Sequence, residues 1–168
     1  MTISMYQASV PAFVRMLNQL DHMLNKAEAY CAAKKIDPAV LTSSRLYPDM
    51  FPLSRQVLIA CDFCKGAVSR LAGKDVPNWA DTETTIPELR ARIAKTLEHV
   101  KGFKASDIDG SDGRDIKLKA GGQDMQFNGR DYLTYFVLPN LYFHSATAYG
   151  IMRHNGLEIG KGDFMGSV

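Results

Sequence analysis

The chain is short of the residues that staple small proteins together. It has 3 cysteines in 168 residues. That sparse, odd set excludes a disulfide scaffold and fits reduced thiols in a cytosol. With 4 histidines, an array of zinc sites is excluded as well, and at most one small metal site remains. No stretch approaches the ~18 uninterrupted apolar residues of a membrane span. The opening residues, Met1 to Gln7, lack the basic and apolar regions of a signal peptide. Charge of one sign is also missing: 20 Lys and Arg against 18 Asp and Glu leave a net +2. No nucleic-acid or membrane partner is therefore expected, and the expected location is the cytoplasm. What the chain does have is apolar material, 46% of its residues. That suffices for one globular domain with a substantial core, spanning 1–168.

The apolar residues recur mostly at helical spacing. Val10, Phe13, Leu17, Leu20, Leu24, Ala27 and Cys31 draw one stripe along a first long helix. Ser4 with Gln7 reads as a capping box, Ser9 as an alternative start, and Pro11 as a kink in the first turns. Asp37-Pro38 marks a short helical turn inside the long connection that follows. A second helix is expected over 52–71, with Leu53, Val57, Ala60, Cys64, Ala67 and Leu71 inward and Gly73 at its end. Thr85 and Glu88 open a third, whose stripe is Ile86, Leu89, Ile93, Leu97 and Val100 and whose end is Gly102. Residues 114–119 and 124–127 alternate instead. With Ala120-Gly121-Gly122 between them they read as a β-hairpin. A fourth helix is expected over 129–155, interrupted at Pro139, with Leu133, Val137, Leu141, His144, Ala148 and Ile151 inward. The glycine-rich tail should dock along the bundle. The expected fold class is all-α, a four-helix bundle with a small β-hairpin between helices three and four.

Only one histidine lies on an apolar stripe. His144 reads either as a core histidine satisfied by a neighbour, the commoner case, or as a metal ligand or acid–base group on the inside of a bundle. An i, i+4 metal pair is absent, because position 148 is alanine. Gln56 borders the inward face of the second helix and is a suitable hydrogen-bond partner for an imidazole. Pro139 cannot donate to the carbonyl of Tyr135. That carbonyl, the Asn140 amide and His144 could form a polar pocket, with Tyr135, Tyr142 and Tyr149 nearby. His22 and His99 fall on polar faces and are expected in solvent, and His154 and Arg153 offset the dipole at a helix end. Asp62 reads as a solvated or interhelical residue. Cys61-Asp62-Phe63-Cys64 is a CxxC in mid-helix, without the helix N-terminus that activates a thiol. The acidic run 107–113 lacks the glycine and glutamate positions of a calcium loop. The glycines of 160–166 neither follow a strand nor open a helix, so they are no nucleotide loop.

Several stretches resemble an uncharacterised bacterial domain-of-unknown-function family. They are residues 1–17, Pro139-Asn140-Leu141-Tyr142-Phe143-His144, the run 147–161 and Asp163-Phe164-Met165-Gly166. That family is in turn distantly similar to the DinB-like and YfiT-like metalloenzymes. The resemblance implies a four-helix bundle, often dimeric, with a divalent metal held by three histidines, one from helix two and two from an HxxxH on the later helix. Some members act as thiol-dependent transferases or hydrolases. It places His144 on the first histidine of HxxxH, Ala148 on the second, and Gln56 nearest the helix-two position. Two of three ligands are thus replaced. The expectation is a degenerate metal site that binds a small ligand through Gln56, Asn140, Tyr142 and Tyr149, or a non-catalytic homodimer, with no cofactor. The alternative is an enzyme with His144 as its catalytic residue, or as the ligand of an atypical zinc or nickel centre.

Overall fold

A computed structural model describes residues 2–166. Helix α1, Met5–Lys34, is 30 residues long and starts on the Ser4–Gln7 capping box. It passes through Pro11 without ending, and Ser9, the alternative cap, is already inside it, donating to the Met5 carbonyl at 2.7 Å. Asp37 caps the short α2, Pro38–Ser43, with proline in its first turn. Helix α3, Leu53–Leu71, closes on a pair of backbone bonds, Gly73 to Arg70 and Lys74 to Ser69, which satisfies two otherwise orphaned carbonyls. Helix α4, Ile86–Lys101, opens on the Thr85–Glu88 capping box. The Thr84 amide first, and then the Thr85 amide and hydroxyl, hold the Glu88 carboxyl below its ordinary pKa.

Beyond α4 comes a single turn, α5 (Ala105–Ile108), and then the hairpin. Strand β1, Asp115–Ala120, pairs antiparallel with β2, Gln123–Asn128, with Ile116 opposite Phe127 and Leu118 opposite Met125. Gly121 and Gly122 both have positive φ, 57° and 80°, as a two-residue hairpin turn requires. The hairpin face carrying Ile116, Leu118 and Phe127 lies against the helices.

The expected fourth helix is not one regular α-helix. It begins as α6, Gly129–Asp131, continues as a π-helical turn over Tyr132–Val137, and only then becomes α7, Leu138–His154. The Leu138 amide bonds to the Leu133 carbonyl, the wide spacing of a π turn. At Gly129 a Cβ would collide with the Ser111 carbonyl, so the chain enters the helix pressed against the preceding loop. Pro139 consequently falls in the first turn of α7, where its missing N–H is tolerated. Despite the π turn, Leu133, Val137, Leu141, Ala148 and Ile151 are all fully buried.

Helix α3 packs on both α4 and α7, while α1 packs on α4 and α3. Phe13, Leu17, Leu20 and Leu24 of α1 meet Val57, Ala60, Cys64 and Ala67 of α3 in the core. The chain end forms α8, Lys161–Met165, which docks on α1. Asp163 accepts from His22 at 2.8 Å and Lys26 at 3.0 Å. The Gly160 amide, followed by those two side chains, holds its carboxyl well below the usual range. His22 is exposed, as expected, and also anchors the tail. The architecture is mostly helical with one small antiparallel hairpin.

Candidate functional site

Helices α3 and α7 bring Gln56 and His144 together. His144 Nδ1 lies 2.7 Å from Gln56 Oε1, and Gln56 Nε2 donates to the Phe51 carbonyl at 3.0 Å. The second bond decides the first. A carbonyl only accepts, so the amide NH2 faces Phe51 and the amide oxygen faces the ring. That oxygen only accepts as well, so the imidazole proton sits on Nδ1 and the lone pair on Nε2. The ring is 8% exposed, and its Nε2 has no hydrogen-bond partner among the described residues. Phe63 stacks on it at 6.0 Å between centroids, and Phe143 meets it edge-on at 5.2 Å. Burial pushes its pKa below the ordinary histidine value, and the nearby Arg55 charge adds to the shift. The result is a neutral imidazole, oriented by an amide, with one free basic nitrogen.

The other residues read as a pocket do not converge on this ring. Asn140 donates to the Phe136 carbonyl at 2.7 Å, tying its amide to its own helix. Tyr142 is 42% exposed. Tyr149 packs edge-on against Phe164 of α8. None of the three has a hydrogen bond or ring contact with His144 among the described residues. Phe63 was legible in principle as part of the setting, since it lies two helical turns after Gln56 on the same face. The Phe51 carbonyl was not, because its place depends on how the loop before α3 folds back.

The donor set around His144 does not fit a three-histidine metal centre. His144 would supply one ligand at most, through Nε2; the position one turn on is the fully buried Ala148, and the Gln56 amide is a weak ligand for zinc or nickel. Among the described residues no three His, Cys, Asp or Glu side chains gather at one place. Cys61 and Cys64 are buried free thiols. Burial pushes the Cys61 thiol up to about 12 and that of Cys64 well above its ordinary value, so neither is a thiolate at neutral pH.

A second histidine overturns its expected solvent position. His99 of α4 is half-buried, with Nε2 at 3.0 Å from Ser69 Oγ. Ser69 gives its own proton to the Lys65 carbonyl. Trp79 and Phe103 flank the ring edge-on at 5.8 and 5.2 Å. Trp79 belongs to the 74–85 connection, which crosses α3 and α4 as a strap. Arg92, 3% exposed, ties the strap down through the Ala80 carbonyl at 2.9 Å, Asp81 at 2.6 Å and Glu83 at 3.1 Å. Arg55 also pairs with Asp81. Desolvation first, then the Lys65 and Lys74 charges, lowers the His99 pKa.

Helices packed around α3, with a hairpin before the last long helix, define a DinB-like fold. The chain is 43% identical to a DinB family member protein from Shewanella denitrificans whose crystal structure is known. The match covers 97% of this chain and 92% of that one, with a TM-score of 0.88. A family model described as a domain of unknown function, DUF1993, matches residues 5–165, and the chain belongs to that family. No curated protein matches it. Among the described residues, no helix is long and apolar enough to cross a membrane.

Proposed function

We propose that this chain is a DinB-like four-helix bundle in one domain whose metal position has become a hydrogen-bonded His144–Gln56 pair. In this reading it works in the cytoplasm by binding a small molecule, or as a non-catalytic homodimer, and takes no cofactor. The observation that carries it is the Nδ1–Oε1 bond of 2.7 Å. It fixes the Gln56 amide and the Nδ1 edge of His144, the two side chains that stand at the ligand positions implied by the family resemblance. Exposed apolar side chains beside the site, Phe51 on the loop before α3 and Phe143 on α7, support a surface that takes a ligand or a second copy.

A second reading rests on the free Nε2. A neutral, oriented imidazole is a competent general base, so an enzyme with an atypical site around His144 is the alternative. Metal content separates the two main branches of metal-free and metal-bound chemistry. Protein purified without chelator or histidine tag should carry well under one zinc or nickel per chain, and His144→Ala should not change that value. Stoichiometric metal that is lost in His144→Ala would overturn the proposal.

A further inference from the structure

A separate cleft, lined by Phe63 but by neither Gln56 nor His144, lies between α3, the hairpin and the π-helical turn. Its volume is about 210 Å3, and Phe63, Phe136 and Leu118 supply its apolar walls. That is below the roughly 300–1,000 Å3 of sites for drug-sized ligands, so it suits a smaller molecule. The π turn shapes it. Tyr132 and Phe136 both enter the wall from that turn, their rings stacked at 6.0 Å, and π turns recur at functional sites.

The charges in the cleft are unbalanced. Arg70 makes one hydrogen bond, from Nη1 to the Tyr132 hydroxyl at 3.1 Å, and has no carboxylate partner among the described residues. Its guanidinium lies back over Gly66, where a Cβ would collide with it. A glycine in mid-helix costs about 1 kcal/mol relative to alanine, and this one makes room for that pose. Lys119, at the rim, likewise has no ion pair among the described residues. The one carboxylate in the lining, Asp62, is already neutralised by Lys65 at 2.6 Å. The Tyr132 hydroxyl accepts from Arg70, and its own proton has no acceptor among the described residues. Burial raises its pKa, so that proton stays available as a donor.

We propose that this cleft binds a small organic anion, with a planar apolar body against Phe63 and Phe136 and its carboxylate or phosphate on Arg70, Tyr132 and Lys119. The site is distinct from the His144–Gln56 pair and does not depend on how that pair functions. A guanidinium without a carboxylate, beside a free hydroxyl proton and over aromatic walls, matches an acid with an aromatic body.

The test is an amide-resolved NMR titration of the full chain with phenylacetate, phenyl phosphate, benzyl alcohol and benzylammonium at matched ionic strength. Both anions should give saturable shifts at Phe63, Leu118 and Phe136, and the tighter one identifies the preferred headgroup. Arg70→Gln should weaken binding on the order of tenfold or more, as loss of a charge-assisted bond does. Lys119→Gln, at an exposed position, should weaken it a few-fold and serves if Arg70→Gln does not fold. Equal shifts with benzyl alcohol or benzylammonium would overturn the proposal. So would the lack of any saturable shift with either anion, or affinities unchanged in the folded variants.

Discussion

Helix α3 holds a histidine on each flank, and the two are held differently. On one side His144 of α7 bonds to Gln56, whose amide is fixed in turn by the Phe51 carbonyl. On the other, His99 of α4 bonds to Ser69, whose hydroxyl is fixed by the Lys65 carbonyl. Both are kept neutral by burial and by nearby cations. The difference lies in what covers them. His99 sits beneath the 74–85 strap, against Trp79, which is itself surrounded by Lys65 at 4.8 Å, Arg92 at 5.4 Å and Lys95 at 4.3 Å. His144 has no strap, only the exposed Phe143 and the half-buried Phe63 beside it. The same chemical device lies under a strap in one place and beside an exposed aromatic in the other, although His144 itself is 8% exposed and His99 is half-buried. That contrast makes His144 the candidate for function and His99 a part of the fold.

Removing the strap's anchor should break the contrast most strongly. Arg92→Leu leaves Asp81 and Glu83 without their buried partner and should cost about 3 kcal/mol, near the low end for breaking a buried ion pair. Chemical denaturation should report the loss, and Trp79 emission should shift as the strap loosens. An unchanged midpoint and spectrum would mean that the strap does not depend on Arg92. Next in size, Gln56→Leu strips partners from both His144 Nδ1 and the Phe51 carbonyl and should cost about 1–3 kcal/mol. Gln56→Glu keeps the shape and places a carboxylate on Nδ1, which should raise the His144 pKa instead of lowering it.

The smallest effect is on the pH dependence. Both histidines have pKa values in the fold below the ordinary value of about 6.5. The unfolded chain therefore binds more protons as pH falls through that value, and stability drops with it. The contribution is fully present above about pH 6.5 and is lost as pH falls through the folded values. Denaturation midpoints should fall between pH 7.5 and pH 5, and His144→Phe should make that fall shallower. A fall as steep in the variant as in the parent would assign the dependence to other groups.

Much of the fold was legible because local chemistry specifies it. The two capping boxes at Ser4 and Thr85, the Asp37-Pro38 turn and the alternating strands around Gly121-Gly122 all form where the residues place them. The inward placement of His144 followed from helical spacing alone, even across the π turn. The π turn itself left no signal in the apolar spacing, since the residues within it and just after it, Leu133, Val137 and Leu141, stay buried. His99 was misread for a different reason. Its face is polar by sequence, and only a loop from elsewhere, carrying Trp79 over α3 and α4, makes it an interior one. The anion cleft was invisible in the same way, since it exists only when the hairpin folds against α3.

His144 is a neutral imidazole protonated on Nδ1, with that proton donated to Gln56, in the metal-free reading proposed above. Two-bond 1H–15N correlation of the imidazole, followed through a pH titration, tests this most directly. His144 should show the Nδ1–H tautomer at neutral pH and a pKa below that of a free histidine. An Nε2–H tautomer, a raised pKa, or the nitrogen signature of a metal-bound ring would contradict it.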